Sequence, residues 1–262
     1  MEKLYIIKVG GNIIDNPTAL ANFIKDFASL NANKILIHGG GKIATSIGEK
    51  LGIEAKMVEG RRITDKETLD VVTMVYGGLI NKNIVAGLQA NDCNALGLSG
   101  ADGNAILSDK RPVKEVDYGF VGDVKTVNAD FFHHLLSFGI TPVVAPLTHD
   151  KKGNMLNTNA DTVASTIAVA LAKHYEVELI YCFELKGVLR DFEDKNSVIE
   201  DITPEIYADL KNEGIISKGM IPKLDNSFNA INSGVGAVRI AHADDLVAII
   251  NDKKKNGTLL KK

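Results

Sequence analysis

Leu4-Tyr5-Ile6-Ile7-Lys8-Val9-Gly10-Gly11 and Lys34-Ile35-Leu36-Ile37-His38-Gly39-Gly40-Gly41 are the two stretches on which the fold reading rests. Each is a short apolar run that stops at a cluster of glycines. A run of that kind reads as a strand buried on both faces. Between the two, residues 17–30 place Leu20, Phe23, Ile24 and Phe27 at helical spacing. A second helical stretch, 42–51, follows the second glycine cluster. Strand, glycine turn and helix in alternation give an α/β protein with a parallel sheet and helices on its faces. Ligands bind such sheets outside the carboxyl ends of the strands, where both glycine turns sit. Glycine there lets the backbone come close to an anion and aim N–H groups at it, often beside a helix N-terminus. One Gly-Gly pair would mark only a tight turn. Two in succession, each after a buried strand, predict anion binding.

The pattern continues outward. Residues 65–90 read as a helix, with Thr64 as its candidate cap. Ala95-Leu96-Gly97-Leu98 reads as a strand closed by Ser99-Gly100-Ala101-Asp102-Gly103. Residues 104–128 alternate, as short antiparallel strands do. A helix over 129–138 and a strand at Thr141-Pro142-Val143-Val144-Ala145 follow. Residues 160–173 are small and apolar nearly all round, so that helix is buried on most sides, between two lobes. A second set of elements begins at Glu178-Leu179-Ile180-Tyr181 and ends with strands at 237–240 and 258–260. A soft boundary therefore falls near 173, dividing 1–173 from 174–262. No low-complexity linker or solenoid repeat occurs, and the lysine-rich segment 253–262 reads as solvated surface.

Composition removes several function classes. Hydrophobic residues make up 45% and charged residues 24% of the 262, which suits a packed core and not a disordered chain. Lys plus Arg total 30 against 33 Asp plus Glu, a net charge of −3, whereas nucleic-acid binders are usually basic. Cys93 and Cys182 lie far apart without metal-ligand spacing, so neither a disulfide framework nor a zinc site is expected, and a reducing cytoplasmic setting fits. No apolar run approaches the roughly 20 residues that span a bilayer, so no membrane segment is expected. The first strand begins by Leu4, which leaves no room for a signal peptide. His133-His134 have no partner spacing for a metal.

Several lysines and polar residues carry the chemistry. Lys8 stands at the first strand's carboxyl end as a point charge suited to phosphate. Gly41-Lys42 is followed by Ile43, so the Walker pattern fails, and the dinucleotide fingerprint is absent at both loops. His38-Gly39-Gly40-Gly41 would fit the oxyanion loop of a lipase only with a G-x-S-x-G turn. Ser99 in Gly97-Leu98-Ser99-Gly100-Ala101 does not supply one. Asn157-Thr158-Asn159-Ala160-Asp161 leads into the small-residue helix. Asn159 is a plausible N-cap, and capping accounts for one of these polar side chains, not all. Lys223, in Gly219-Met220-Ile221-Pro222-Lys223, lies near the start of a helix running to about 234. A lysine there opposes the helix dipole unless an anion is present.

These segments, with Gly60-Arg61-Arg62-Ile63-Thr64 and Leu98-Ser99-Gly100-Ala101-Asp102-Gly103, occur in the order found in a known family and span nearly the whole chain. The chain resembles the amino acid kinase family, in its branch that phosphorylates N-acetylglutamate. The glycine loops mark the family at large. The arginine, Asn-x-Asn-Ala-Asp and Gly-Met-Ile-x-Lys segments mark the branch. The resemblance implies a three-layer αβα sandwich with a mainly parallel central sheet. It implies an acylglutamate-binding and dimerisation lobe over 1–173 and an ATP lobe over 174–262. The implied reaction moves the γ-phosphoryl of MgATP to the γ-carboxylate of N-acetyl-L-glutamate, a step of arginine biosynthesis, with magnesium held mainly by the ATP phosphates and no protein metal site. Carried over, Lys8 and Lys223 stabilise the moving phosphoryl group and Asp161 holds both lysines. Gly10, Gly11 and Gly40 present backbone N–H groups, Gly41 helps form the substrate loop, and Arg62 and Asn157 bind the α-carboxylate with Asn159 in the same site. The nucleotide contacts Glu184, Leu185, Lys186, Gly187, Val188, Leu189, Ile215, Ile216 and Ser217. The partners implied are small molecules and a second copy of the chain as a homodimer, with no nucleic acid or membrane.

Three departures from the family pattern matter. Phe183-Glu184-Leu185-Lys186-Gly187-Val188 stands where relatives usually read Ser/Thr-Asp-Val-x-Gly-Val, and Lys218 stands where an acid is common. A catalytically silent nucleotide-binding relative is therefore an alternative, opposed by the presence of Lys8, Asp161 and Lys223. Arg61 replaces a usual leucine beside the acyl pocket, so N-succinylglutamate is an alternative substrate, with Arg61 on its distal carboxylate. Arginine-inhibited relatives carry a helix ahead of the first strand. With the strand beginning by Leu4, a dimer insensitive to arginine is the expectation.

Overall fold

The computed structural model of the chain describes residues 1–58, 60–216, 220–253 and 255–262. Alternation along the strands sets the layers. In the strand Lys3–Val9, Leu4 and Ile6 enter one core while Tyr5, Ile7 and Val9 enter another. Successive side chains point to opposite faces, so a run without polar gaps buries both. The strand Asn33–His38 repeats this, with Ile35 and Ile37 on one side and Leu36 on the other. The first core receives Phe132 from the helix Ala129–Ser137, Ile167 from Ala160–Leu171 and Leu224 from Ile221–Asn232. The second receives Phe27 from the helix Pro17–Ser29 and Ile84 from Asn81–Gln89. The result is the expected helix–sheet–helix stack.

The central sheet has eight strands in the order Asp201–Ile202, Thr258–Leu260, Ala237–His242, Glu176–Phe183, Lys3–Val9, Asn33–His38, Thr141–Val144, Ala95–Leu98. Every pairing is parallel except that of Ala237–His242 with Thr258–Leu260. Lys3–Val9 and Glu176–Phe183 lie side by side, with Lys8 opposite Tyr181. Position 173 falls in the turn before Glu176–Phe183, so the elements on either side of it share one continuous sheet. A second, four-stranded sheet contains the antiparallel pair Ile106–Lys110 and Gly122–Val127, as read for 104–128.

Some local readings differ from the sequence expectation. The helix beginning at Lys66 is capped by Asp65, whose carboxylate accepts from the Thr68 N–H, and not by Thr64. Thr64 is instead buried, bonded through its backbone to Tyr118 and Phe120. Residues 66–89 form one helical stretch with a π-helical turn at Thr73–Ile80. By length and composition it could cross a membrane, which no uninterrupted apolar run had indicated. Its inner face packs on the second core, and 44% of its apolar window is buried within the molecule. The helix Pro204–Asn212 and the hairpin Met57–Val58/Arg61–Arg62 carried no signal that was read.

His38 fixes the second glycine loop to the sheet. It is fully buried, its Nδ1 donating to the Gly39 carbonyl at 2.8 Å and its Nε2 accepting from the Asn81 amide at 3.1 Å. Asn81 donates its other hydrogen to the Val143 carbonyl at 3.0 Å. The arrangement needs the neutral ring, and burial pushes the imidazole down to about 4. The unfolded chain takes up a proton below about 6.5 while the folded one does not, so stability is lost as pH falls from there towards 4. Thermal unfolding followed from pH 7 to pH 4 is expected to show that loss, of up to about 3 kcal/mol from this one group. His38→Gln, which cannot be protonated, is expected to flatten the slope over the same window.

Candidate functional site

The N-termini of three helices, Gly41–Lys50, Ala160–Leu171 and Ile221–Asn232, open on one cavity of about 460 Å³. Lys8, at the carboxyl end of Lys3–Val9, meets the cavity through Asp161 on its wall. Asp161 sits in the first turn of its helix, where Asn159 caps by accepting from the N–H groups of Asp161 and Thr162. Its two carboxylate oxygens take different lysines: Oδ1 pairs with Lys8 Nζ at 2.9 Å and Oδ2 with Lys223 Nζ at 2.5 Å. This is the anion that a lysine at the start of Ile221–Asn232 required. Burial alone would raise the Asp161 carboxyl, but the two ammonium groups outweigh it and hold the group below its usual range. Lys223 is pushed down by burial and by Lys8, with Asp161 working against both. The trio keeps one positive charge in excess.

Aromatic rings form the wall behind the lysines. Lys223 Nζ lies 4.3 Å from the centre of the Phe183 ring and 4.8 Å from that of Tyr181, and Lys8 Nζ lies 5.4 Å from Phe183. Both rings belong to Glu176–Phe183 and stand two residues apart, hence on one face of the strand.

The glycine loops meet here. Gly40 has φ +146°, a conformation that L side chains rarely adopt, and a Cβ on it would also press on the Ile80 Cδ1 of the long helix. Gly41 faces open space, and its carbonyl accepts from Arg62 Nη2 at 2.9 Å. Thr45 Oγ1 accepts from the same nitrogen at 2.8 Å, so two partners within the protein orient Arg62. Among the described residues no backbone carbonyl takes the N–H of Gly11 or Gly40. Gly10 corrects the sequence reading: its N–H donates to the Cys182 carbonyl at 3.1 Å and is spent on the sheet. Asn157 donates to Thr64 Oγ1 at 3.0 Å, and Thr158 shares a buried hydrogen bond with Thr148 at 2.9 Å. The three polar residues before the helix each have a structural partner as well as a place on the cavity wall.

Of the residues singled out from sequence, Gly40, Gly41, Arg61, Arg62, Asn157, Asn159, Asp161 and Lys223 line this one cavity. Lys8 joins them through Asp161, and Gly11 adjoins the Gly39 turn. The stretch read as nucleotide-binding does not line it. Glu184 accepts from Asn12 at 2.5 Å, and Lys186 donates to Asn196 at 3.0 Å. Leu185 is half-buried in the same turn. Gly187 and Val188 pack on Thr258, and Leu189 bridges to Val198. Ile215 and Ile216 join the first core, while Ser217 lies outside the described residues. Sequence reasoning missed Tyr76 and Arg111 on the cavity wall. Arg111 is held by Asp123 at 2.6 Å over the Tyr118 ring, and its Nη1 is buried with no partner among the described residues. Neither residue lies in a motif: Tyr76 reaches the cavity from the helical stretch beside Gly40, and Arg111 through its pairing with Val121 and Asp123. Asp102 closes its own turn on Ser99, and both cysteines are free and buried. Among the described residues no cluster of His, Cys, Asp or Glu could hold a metal.

Residues 3–242 match the model of the amino acid kinase family. The chain is 70% identical over 261 residues to the acetylglutamate kinase of Cytophaga hutchinsonii, covering 99% of both chains. It is 42% identical over 246 residues to the acetylglutamate kinase of Methanopyrus kandleri, covering 92% of this chain and 96% of that one. Among solved structures it is similar to smu.665 of Streptococcus mutans, at 28% identity and a TM-score of 0.79, with 98% of each chain covered. The match over nearly the whole length, on a chain with the lysine pair, the glycine loops and the three-layer sheet, makes this protein a member of the amino acid kinase family.

Proposed function

We propose that this chain transfers the γ-phosphoryl group of ATP to the γ-carboxylate of N-acetyl-L-glutamate, the acyl phosphate step of arginine biosynthesis. The carrying observation is Asp161 holding Lys8 and Lys223 together at the cavity with one positive charge in excess. A carboxylate oxygen attacks the γ-phosphorus, and the bond from that phosphorus to the β,γ-bridging oxygen breaks, giving N-acetylglutamyl 5-phosphate and ADP. The nucleophile is already ionised, so no general base is needed; the barrier is bringing one anion onto another. Positioning and charge neutralisation supply the rate, as in other phosphoryl transfers. Lys8 and Lys223 stabilise the charge on the moving group, and the N–H groups of Gly11 and Gly40 point at its oxygens. Arg62, already oriented by Gly41 and Thr45, presents a planar fork to the α-carboxylate beside Asn157, with Asn159 in the same site. Asp161 is engaged by two lysines, which leaves Mg²⁺ to the ATP phosphates, its common mode of binding. Magnesium there neutralises phosphate charge. Residues 1–173 carry the acylglutamate site, and 174–262 carry ATP through Glu184–Leu189 and Ile215–Ser217.

A second reading concerns the acyl group. Arg61, Arg62 and Arg111 line the same cavity, and one α-carboxylate occupies one such fork. Arg111 is paired with Asp123, so Arg61 is the further guanidinium that favours an acyl chain itself ending in a carboxylate, as in N-succinylglutamate. The chain also acts as a cytoplasmic homodimer on this proposal. Supporting that, Met74 and Leu79 on the long helix and Leu96 on the edge strand Ala95–Leu98 are exposed.

A coupled ADP-release assay with hydroxylamine trapping of the acyl phosphate tests the reaction. Turnover on N-acetylglutamate is expected, and Lys8→Ala is expected to lower it by at least ~100-fold, the scale for losing one fixed transition-state donor. ATP binding without trapped product from either N-acetylglutamate or N-succinylglutamate would make the chain a silent nucleotide binder. Offering N-succinylglutamate in parallel decides the second reading: faster turnover that Arg61→Leu reverses supports it, and a clear preference for the acetyl substrate ends it. Sedimentation equilibrium is expected to return twice the 28.2 kDa chain mass; a hexamer would contradict the dimer.

A further inference from the structure

The lysine pair poses a problem that Asp161 alone does not solve. Two ammonium groups share one carboxylate, both are largely buried, and burial penalises each charge. A second carboxylate would remove the penalty, but it would also cancel the positive charge that an incoming phosphoryl group needs. An aromatic face meets both demands, because its quadrupole attracts a cation without adding net negative charge. Such a face is present. Phe183 and Tyr181 lie 28° from parallel on the same face of their strand, with the Lys223 ammonium 4.3 and 4.8 Å from their ring centres. Phe183 also faces Lys8 at 5.4 Å. The Tyr181 hydroxyl contacts the Asp161 carbonyl at 3.4 Å, tying the wall to the helix that carries the carboxylate.

We infer that Phe183, backed by Tyr181, is a positioning residue for phosphoryl transfer: its ring face keeps the Lys223 ammonium charged and aimed into the cavity while leaving the site's excess positive charge intact. The inference rests on the roles proposed above for Lys8 and Lys223. It also gives a reason for phenylalanine directly before Glu184, where a small hydroxyl residue would offer no such face. The charged and titratable groups facing Lys223, among the described residues, are Asp161 from Ala160–Leu171, Lys8 from the first strand and Tyr181 beside Phe183.

Replacing Phe183 separates electrostatics from packing. Phe183→Leu keeps apolar bulk and removes the quadrupole; fluorinated phenylalanines introduced at position 183 alone weaken the quadrupole stepwise at nearly constant shape. Turnover is expected to fall about 3- to 30-fold in Phe183→Leu, the range of one cation–π contact. It is expected to fall progressively with fluorination and to be retained in Phe183→Tyr. The sign of the pH effect is fixed: losing a contact that favours the ammonium lowers the Lys223 pKa. The alkaline limb of the kcat profile should therefore move to lower pH, by about 0.5–1 unit. A flat response across the fluorinated series, or a change confined to the KM for ATP, would overturn the inference, the second outcome making Phe183 part of the nucleotide wall. If Phe183→Leu does not fold, the fluorinated series still decides. Lys8→Ala and Lys223→Ala run alongside: full turnover in those variants would remove the lysine mechanism itself. Their loss with an unmoved Phe183 series would remove only the aromatic contribution.

Discussion

One carboxylate shared by two lysines organises this molecule. Asp161 draws Lys8 from the central strand and Lys223 from the helix Ile221–Asn232 to the start of Ala160–Leu171, joining elements from both ends of the chain. Remove its charge and two like charges face each other in a partly buried site. Keep it, and the site retains one positive charge aimed at the cavity. The groups packed against the trio add no second carboxylate to it among the described residues. Asn159 caps the helix under Asp161, and the rings of Tyr181 and Phe183 close the rear.

The remainder of the cavity follows the same economy of pre-arranged dipoles and charges. Gly40 holds φ +146°, which an L side chain rarely adopts, and it lies on the cavity wall. Arg62 is oriented by a carbonyl and a hydroxyl. His38, buried and neutral, anchors the glycine loop to the neighbouring strand through Asn81. Donors held in advance cost no reorganisation when charge moves, and that is where electrostatic catalysis gains most of its effect.

Much of this was legible in the residues. The uninterrupted apolar runs foretold strands buried on both faces, and the cores on either side of Lys3–Val9 are that reading realised. The glycine turns after them marked the ligand edge, and Asn159 was legible as a cap because a short polar residue before a helix has few other uses. Local rules failed where long-range pairing competes. Thr64 looked like a cap, but its backbone is committed to Tyr118 and Phe120, so Asp65 takes that role. Gly10 looked like a phosphate donor, but the strand Glu176–Phe183 claims its N–H. Tyr76 and Arg111 were invisible because neither sits in a motif: Tyr76 reaches the cavity by packing against Gly40, and Arg111 by pairing with Val121 and Asp123.

By itself the sequence determined the layer architecture, the strand edge at which an anion is expected and the set of charged residues available there. These depend on periodicity and on the local conformational freedom of glycine, both of which act over a few residues. Periodicity and spacing left open which charges meet; the family resemblance implied that Asp161 holds both lysines, and the tertiary structure shows the contacts that do it. Lys8, Asp161 and Lys223 are separated by more than a hundred positions in one case and by sixty-two in the other. Their convergence on one carboxylate follows from strand order in the sheet and from the packing of two helices, Ala160–Leu171 and Ile221–Asn232, on one of its faces, while Phe183 comes from the neighbouring strand. Coulomb and quadrupole interactions act over a few ångströms, so their energies exist only once the sheet has brought those residues together.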